Sequence, residues 1–212
     1  MIANRLGLPA SLISISINQS GTIADMDEVK VVAFVGMPGA GKSSCVTYLE
    51  QKKFPSVYFG GITIDEVKAR GLEVNEVNEK IVREDIRAKE GKGAYANRII
   101  SQIEKYFSEG HKNVIVDGLY TWSEYKIFKE HFGSAVTVVA VAAARKLRHE
   151  RLAKRPIRPL TEEEITSREY AEIENMEKGG PIANADYTIV NDSSQSEMIA
   201  KLDQILREIS FI

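Results

Sequence analysis

A doubly covered α/β fold, with a five-stranded parallel sheet and helices on both faces, is what this 212-residue chain predicts. Three observations lead there. Short apolar runs alternate with longer stretches of helical period, and strands separated by helices need crossovers, which make parallel sheets. A glycine-rich motif stands between the first apolar run and the first helix. An acidic residue closes the third apolar run, where a parallel sheet presents its ligand-binding edge.

The elements follow in order. Val29–Val35 (VKVVAFV) is rich in β-branched residues and reads as a buried strand. Phe54–Phe59 is a weaker second strand, 113–116 (NVIV) a third, Ala135–Ala142 (AVTVVAVA) a fourth and Tyr187–Val190 (YTIV) a fifth. Helical patterns cover 42–53, 64–71, 76–90, 93–109, 122–131, 144–155, 161–176 and 195–209. Gly179-Gly180-Pro181 reads as a helix stop before the last strand, and the Pro-containing stretch Pro156–Pro159 as a mobile loop.

Gly36-Met37-Pro38-Gly39-Ala40-Gly41-Lys42-Ser43 matches G-x-x-x-x-G-K-[ST], the P-loop pattern. Its glycines permit backbone angles and close approaches that a Cβ forbids. Successive N–H groups then wrap a phosphate at a helix N-terminus, with Ser44 in the first helical turn. The expected roles are Lys42 on the β- and γ-phosphate oxygens of ATP and Ser43 on Mg²⁺. By residue frequencies the pattern arises by chance in on the order of one chain in a hundred, before the strand and helix around it are required. The G-protein base motif Asn-Lys-x-Asp is absent, which favours ATP over GTP.

Asp117-Gly118 follows the third strand, where a P-loop protein places the carboxylate that holds magnesium. The alternative is a solvated Asp opening a turn. From Arg145 to Arg158 the chain reads RKLRHERLAKRPIR, seven basic residues against Glu150. Arg148, Arg151 and Arg155 share one helix face, and phosphoryl transfer needs cations around the moving group. An arginine lid over about 145–165 is the functional reading, with Arg151 and Arg155 catalytic and Arg148 on the nucleotide; a solvated basic face is the other.

These motifs together resemble the nucleoside-monophosphate-kinase group. The resemblance rests on VAFVGMPGAGKS, the Asp-Gly after the third strand, the basic helix after the fourth, and the closing ADYTIVND. It extends over roughly 29–210, nearest to adenylate-kinase-related P-loop proteins and more distantly to dephospho-coenzyme A kinases. It implies a phosphotransferase moving the γ-phosphoryl of Mg-ATP to a small nucleotide-like acceptor, with an acceptor-binding insert over about 60–100. Asn191 is then expected near the adenine, or else simply in the turn after a core strand. The chain also departs from that group. An Asp and an Arg that adenylate kinases carry on the acceptor helix correspond to Gly61 and Ile64 here. Leu119, Tyr120 and Thr121 stand where those enzymes have an arginine after Asp-Gly. Ordinary adenylate kinase activity is therefore not expected, because Ile and Thr do not replace bidentate arginine contacts. Arg83, Arg87 and Arg98 are the arginines available to grip a different acceptor, or to pair with Glu79, Glu84 and Glu90. Tyr95, Tyr120 and Trp122 are either stacking partners or packing residues. His111, His131 and His149 have no spacing that suggests a metal or catalytic pair.

A net charge of −2 excludes general nucleic-acid binding as an expectation, and no apolar run reaches membrane-spanning length. With Cys45 alone there is no internal disulfide, which suits a reducing, cytoplasmic setting. Residues 1–28 read as a flexible or loosely docked N-terminal extension, with Met26 as a second candidate start, ahead of a domain over 29–212. The rival reading from another class is a P-loop ATPase or nucleotide-dependent switch acting through a protein partner.

Overall fold

The computed structural model describes residues 29–91, 93–156 and 159–212. The expected N-terminal extension, and Ile157 and Arg158 of the basic segment, lie outside the described residues.

Strands β1 (Lys30–Val35), β2 (Ser56–Tyr58), β3 (Asn113–Asp117), β4 (Val136–Ala142) and β5 (Tyr187–Val190) form one sheet in the order β2-β3-β1-β4-β5. Every pairing is parallel, and the register sets Phe34 beside Asp117 on one side and Val139 on the other. β1 is central, and Val31 to Phe34 are fully buried. Each such aliphatic side chain contributes roughly 1.5–3 kcal/mol by leaving water. The largely apolar β1 and β4, interrupted only by Lys30 and Thr137, are thus explained by burial on both faces.

Helices α1 (Lys42–Gln51) and α9 (Gln195–Glu208) cover one face, closing a core of Val32, Phe34, Leu49, Ile115, Leu202 and Leu206. On the other face lie α2 (Phe59–Ala69), α3 (Glu76–Glu90), α4 (Ala94–Ser108) and α5 (Trp122–Phe132). Their core holds Phe59, Val67, Ile86, Ile99 and Phe128. Helices α6 (Arg145–Lys154), α7 (Glu162–Glu174) and α8 (Gly179–Ala183) complete the chain between β4 and β5.

Two expectations need correction. The second strand is only Ser56–Tyr58, and α2 begins at Phe59 rather than near 64. Gly60 and Gly61 weaken helix propensity locally, but burial of Phe59, Ile62, Thr63 and Val67 on one face overrides it. The Gly179-Gly180-Pro181 stop is itself the opening of the short helix α8. Proline fits there because first-turn N–H groups have no intrahelical acceptor.

The carboxyl ends of all five strands meet at one edge of the sheet. Gly36, Tyr58, Asp117, Ala143 and Asn191 therefore converge although far apart in sequence. No helix among the described residues is long and apolar enough to cross a membrane.

Candidate functional site

A cleft of about 1410 Å³ opens over this edge. Its floor is the loop Gly36–Gly41 and the first residues of α1. Helix α1 has no side-chain cap and no acidic residue in its first turn, so its positive end is left for a ligand. Gly39 (φ +77°) and Gly41 (φ +104°) are in left-handed conformations. A Cβ on Gly39 would lie 2.7 Å from the Arg148 carbonyl oxygen, and one on Gly41 would lie 2.2 Å from Asn191 Nδ2. Only glycine satisfies both angle and space.

Three successive carbonyls of the loop are held by side chains from elsewhere. Arg148 Nη1 donates to Pro38 O at 3.2 Å, Arg151 Nη1 to Gly39 O at 3.3 Å, and Asn191 Nδ2 to Ala40 O at 2.7 Å. In a trans peptide the C=O and the following N–H point in opposite directions. Anchoring Pro38 O and Ala40 O thus turns the N–H groups of Gly39 and Gly41 the other way, into an anion nest. The Ala40 N–H instead bonds Met37 O at 3.1 Å and tightens the turn.

Lys42 Nζ reaches Asp117 Oδ1 at 2.6 Å, joining the loop to the end of β3. Both side chains are largely buried yet border the cleft, as do Ser43 and Ser44. Among the described residues no group of three or more His, Cys, Asp and Glu is placed to hold a metal. A hard cation would therefore draw its ligands from phosphate oxygens together with Ser43 and Asp117, the oxygen donor set that Mg²⁺ takes. The nest and this donor set fit a nucleotide with its magnesium. Just behind, burial pushes the Cys45 thiol up to about 12, against the opposing pull of Lys42.

Of the predicted arginine face, Arg148 turns under the loop. It is buried and also donates to Ala143 O and to Glu169. Arg145 and His149 reach the same buried carboxylate, so Glu169 of α7 ties down three side chains of α6. Burial raises the Glu169 pKa, but hydrogen bonds from His149, Arg148 and Arg145 outweigh it and hold the group below its ordinary value. Arg151 joins Gly39 O to Asn191 O, the latter at 3.0 Å, and both Arg151 and Arg155 line the cleft. Asn191, expected near the adenine, is buried with its side chain on the loop.

The rest of the cleft is lined by side chains. Arg83 and Arg87 face it from α3, and the Arg87 guanidinium sits 5.3 Å from the Tyr95 ring. Tyr95 Oη pairs with Thr63 Oγ1 at 2.8 Å, and both border the cleft. Arg98 is not among the lining residues; it is bound by Glu66 and Glu90. Tyr120 lines the cleft, whereas Trp122 stacks on Tyr125 with centroids 5.0 Å apart.

Several lining residues carry no sequence motif. Lys178 is almost fully buried, donates to Glu172 and stands 4.9 Å from the Tyr120 ring centroid. Burial depresses its pKa, with Glu172 opposing. Glu124 is 2% exposed and closes the capping box of α5 with Thr121. The capping box accounts for the start of α5 and not for a glutamate at the cleft.

A model of the AAA domain matches residues 32–177. The UPF0200 protein of Thermococcus kodakarensis is 34% identical over 182 residues, spanning 84% of this chain and 97% of that one. A UPF0200/UPF0201 protein of Archaeoglobus fulgidus is 33% identical over 185 residues, 86% of this chain, which spans only 57% of that relative's length. Among solved structures, TT1252 from Thermus thermophilus superposes with a TM-score of 0.61 at 17% identity, over 85% of this chain and 98% of that one. A shikimate kinase from Bacteroides thetaiotaomicron gives 0.52 at 14%, over 85% and 98%. A sugar kinase from Janibacter gives 0.53 at 13%, over 84% and 95%. At these identities the likeness is one of fold, that of the P-loop kinases.

Proposed function

The chain belongs to the UPF0200 family and carries the AAA domain, and from that premise we propose that it is a phosphotransferase, moving the γ-phosphoryl of Mg-ATP to a small nucleotide-like acceptor. One observation carries the reading: the pinned loop and the Lys42–Asp117 pair share one cleft with arginines, tyrosines and carboxylates. A nest alone would suit any anion. A nest beside a second, side-chain-built chamber suits a donor and an acceptor held together.

The loop amides and Lys42 bind and orient the donor phosphates. Magnesium, when bound through Ser43 and Asp117, supplies charge neutralisation at the phosphate oxygens. Arg155, at the end of α6, and Arg151 add positive charge beside the reacting group. Arg83 and Arg87 hold the acceptor. If it presents a hydroxyl, Asp117 is positioned to take the proton; if it presents a phosphate, no base is needed. Arg151, Arg155, Glu163 and Glu164, within the lid over about 145–165, border the cleft and close it against water. A cytoplasmic setting goes with this reading.

The test is ADP formation from Mg-ATP against nucleoside monophosphates, nucleosides and dephospho-coenzyme A. Strong stimulation by one acceptor establishes the kinase and names its substrate. A second reading, a nucleotide-dependent switch with a protein partner, is favoured by one feature. Leu72, Val74, Val77 and Ile81 are exposed around the start of α3, the helix that walls the acceptor chamber. Slow hydrolysis indifferent to every small molecule would select that reading.

A further inference from the structure

The cleft holds a carboxylate that the chemistry above leaves unused. Glu124 is 2% exposed and yet lines the cleft. Its Oε2 accepts the Tyr120 N–H at 3.1 Å and the Thr121 N–H at 2.9 Å. Those two bonds complete the cap of α5. Oε1 has no hydrogen-bond partner among the described residues. No fully buried side-chain oxygen among them lacks a partner, so Oε1 stands at the cleft surface. A carboxylate oxygen withdrawn from bulk water and left without a donor is unfavourable, and a bound group that donates to it removes the penalty.

The same chamber contains two cations of α3, of which Arg83 also pairs with Glu79 at 3.8 Å. Arg83 and Arg87 line it from one face of α3, one helical turn apart. We propose, resting on the reading that this chamber holds the acceptor, that Glu124 binds the acceptor and thereby sets its class. The acceptor is a small anion that also carries a hydroxyl or amino group: the anionic group lies on Arg83 and Arg87, and the donor on Glu124 Oε1. A molecule that presents only acceptor oxygens to Glu124 is disfavoured, because acceptor then faces acceptor with no hydrogen-bond donor between them.

Glutamine at Glu124 tests this cleanly. It completes a capping box as glutamate does. The Tyr120 and Thr121 amides demand an acceptor, so the glutamine must turn its oxygen to them and its NH₂ into the cleft. Glu124→Gln thus keeps the helix cap and replaces an acceptor by a donor at the Oε1 position. The probes are matched pairs differing in one donor group: AMP against purine riboside 5′-monophosphate, and 3-hydroxycyclohexanecarboxylate against cyclohexanecarboxylate. Binding is measured by calorimetry on the full chain, with and without saturating Mg²⁺ and the non-hydrolysable β,γ-imido analogue of ATP.

In at least one pair the donor-bearing member binds the wild-type chain tenfold to about a hundredfold more tightly, the range of a hydrogen bond to a charged group. Glu124→Gln brings that ratio to unity or below, with the melting temperature and the affinity for the ATP analogue retained. Arg87→Met weakens both members by a similar factor and leaves their ratio, which keeps the proposal testable should the glutamine variant fail to fold. A ratio unchanged in Glu124→Gln reduces Glu124 to a helix cap and overturns the proposal, as does a wild-type chain that discriminates neither pair. Failure of the ATP analogue to bind would instead overturn the kinase reading, and the titrations without nucleotide would still decide the role of Glu124.

Discussion

The two halves of the cleft are built from different materials. The donor half is backbone: a glycine loop whose carbonyls are pinned by Arg148, Arg151 and Asn191. The acceptor half is side chain: Arg83, Arg87, Tyr95, Glu124 and Lys178, drawn from α3, α4, α5 and the segment after α7. Backbone amides recognise phosphate whatever is attached to it, and their geometry leaves little freedom to vary. Side chains can be exchanged one at a time without disturbing the main chain. Under the proposed function the donor is therefore legible from a motif, and the identity of the acceptor resides in the half that has none.

Substitutions in the two halves can break or sharpen this contrast. The largest effect is expected from Lys42→Ala, which removes the charge at the meeting point of the halves. Turnover to ADP should fall by on the order of 10²–10³ or more, as when a preorganised cation or donor is lost from a transition state. Circular dichroism should show the fold intact, since Lys42 meets Asp117 at the cleft and not in the core. Normal turnover by this variant would remove the assignment of the site.

Gly41→Ala strikes the donor half alone. The φ of +104° and the 2.2 Å approach to Asn191 Nδ2 must both be relieved. Strain of about 1–3 kcal/mol corresponds to a loss of roughly tenfold to a hundredfold in Mg-ADP affinity by calorimetry. Acceptor affinity, measured without nucleotide, should be unaffected; an equal loss at both sites would mean that the halves are not separate.

Arg151→Met is more discriminating though smaller. If Arg151 acts chiefly by holding Gly39 O and Asn191 O, ATP and ADP should weaken together, by about tenfold for the loss of charged hydrogen bonds. If it acts chiefly on the moving phosphoryl, kcat falls at unchanged nucleotide affinity. The split between kcat and affinity reads the role directly.

The smallest expected effect concerns pH. The folded-state pKa of Glu169 is depressed below 4.5, so the clamp of α6 to α7 is fully present above that value and is lost as pH falls through the lower folded-state pKa. The melting temperature should decline below about pH 4.5, and Glu169→Gln should flatten that limb. An identical acid limb in the variant would place the transition on other carboxylates.

Much of the molecule could be read from local order along the chain. Four of the five strands begin and end within a residue of their expected bounds, because short runs rich in β-branched residues favour strands, largely buried in β1, β3 and β4 and half-exposed in β5. The P-loop and the acid after β3 were equally legible, since a nest and a helix N-terminus are formed by consecutive residues. The start of α2 was not, because its two glycines argue locally against a helix that burial requires.

The limit lies between chemistry carried by neighbours in sequence and chemistry carried by neighbours in space. Composition and spacing gave a parallel α/β sheet, the glycine-rich P-loop and the basic run of α6, each a property of a short stretch. Where that run points depended on packing: Arg148 and Arg151 meet loop carbonyls more than a hundred residues away. So did the turning of Arg98 onto Glu66 and Glu90, and the arrival of Glu124 and Lys178 at the cleft wall. A side chain's charge is written in its residue, but its partner is chosen by how helices from distant segments pack over one edge of the sheet.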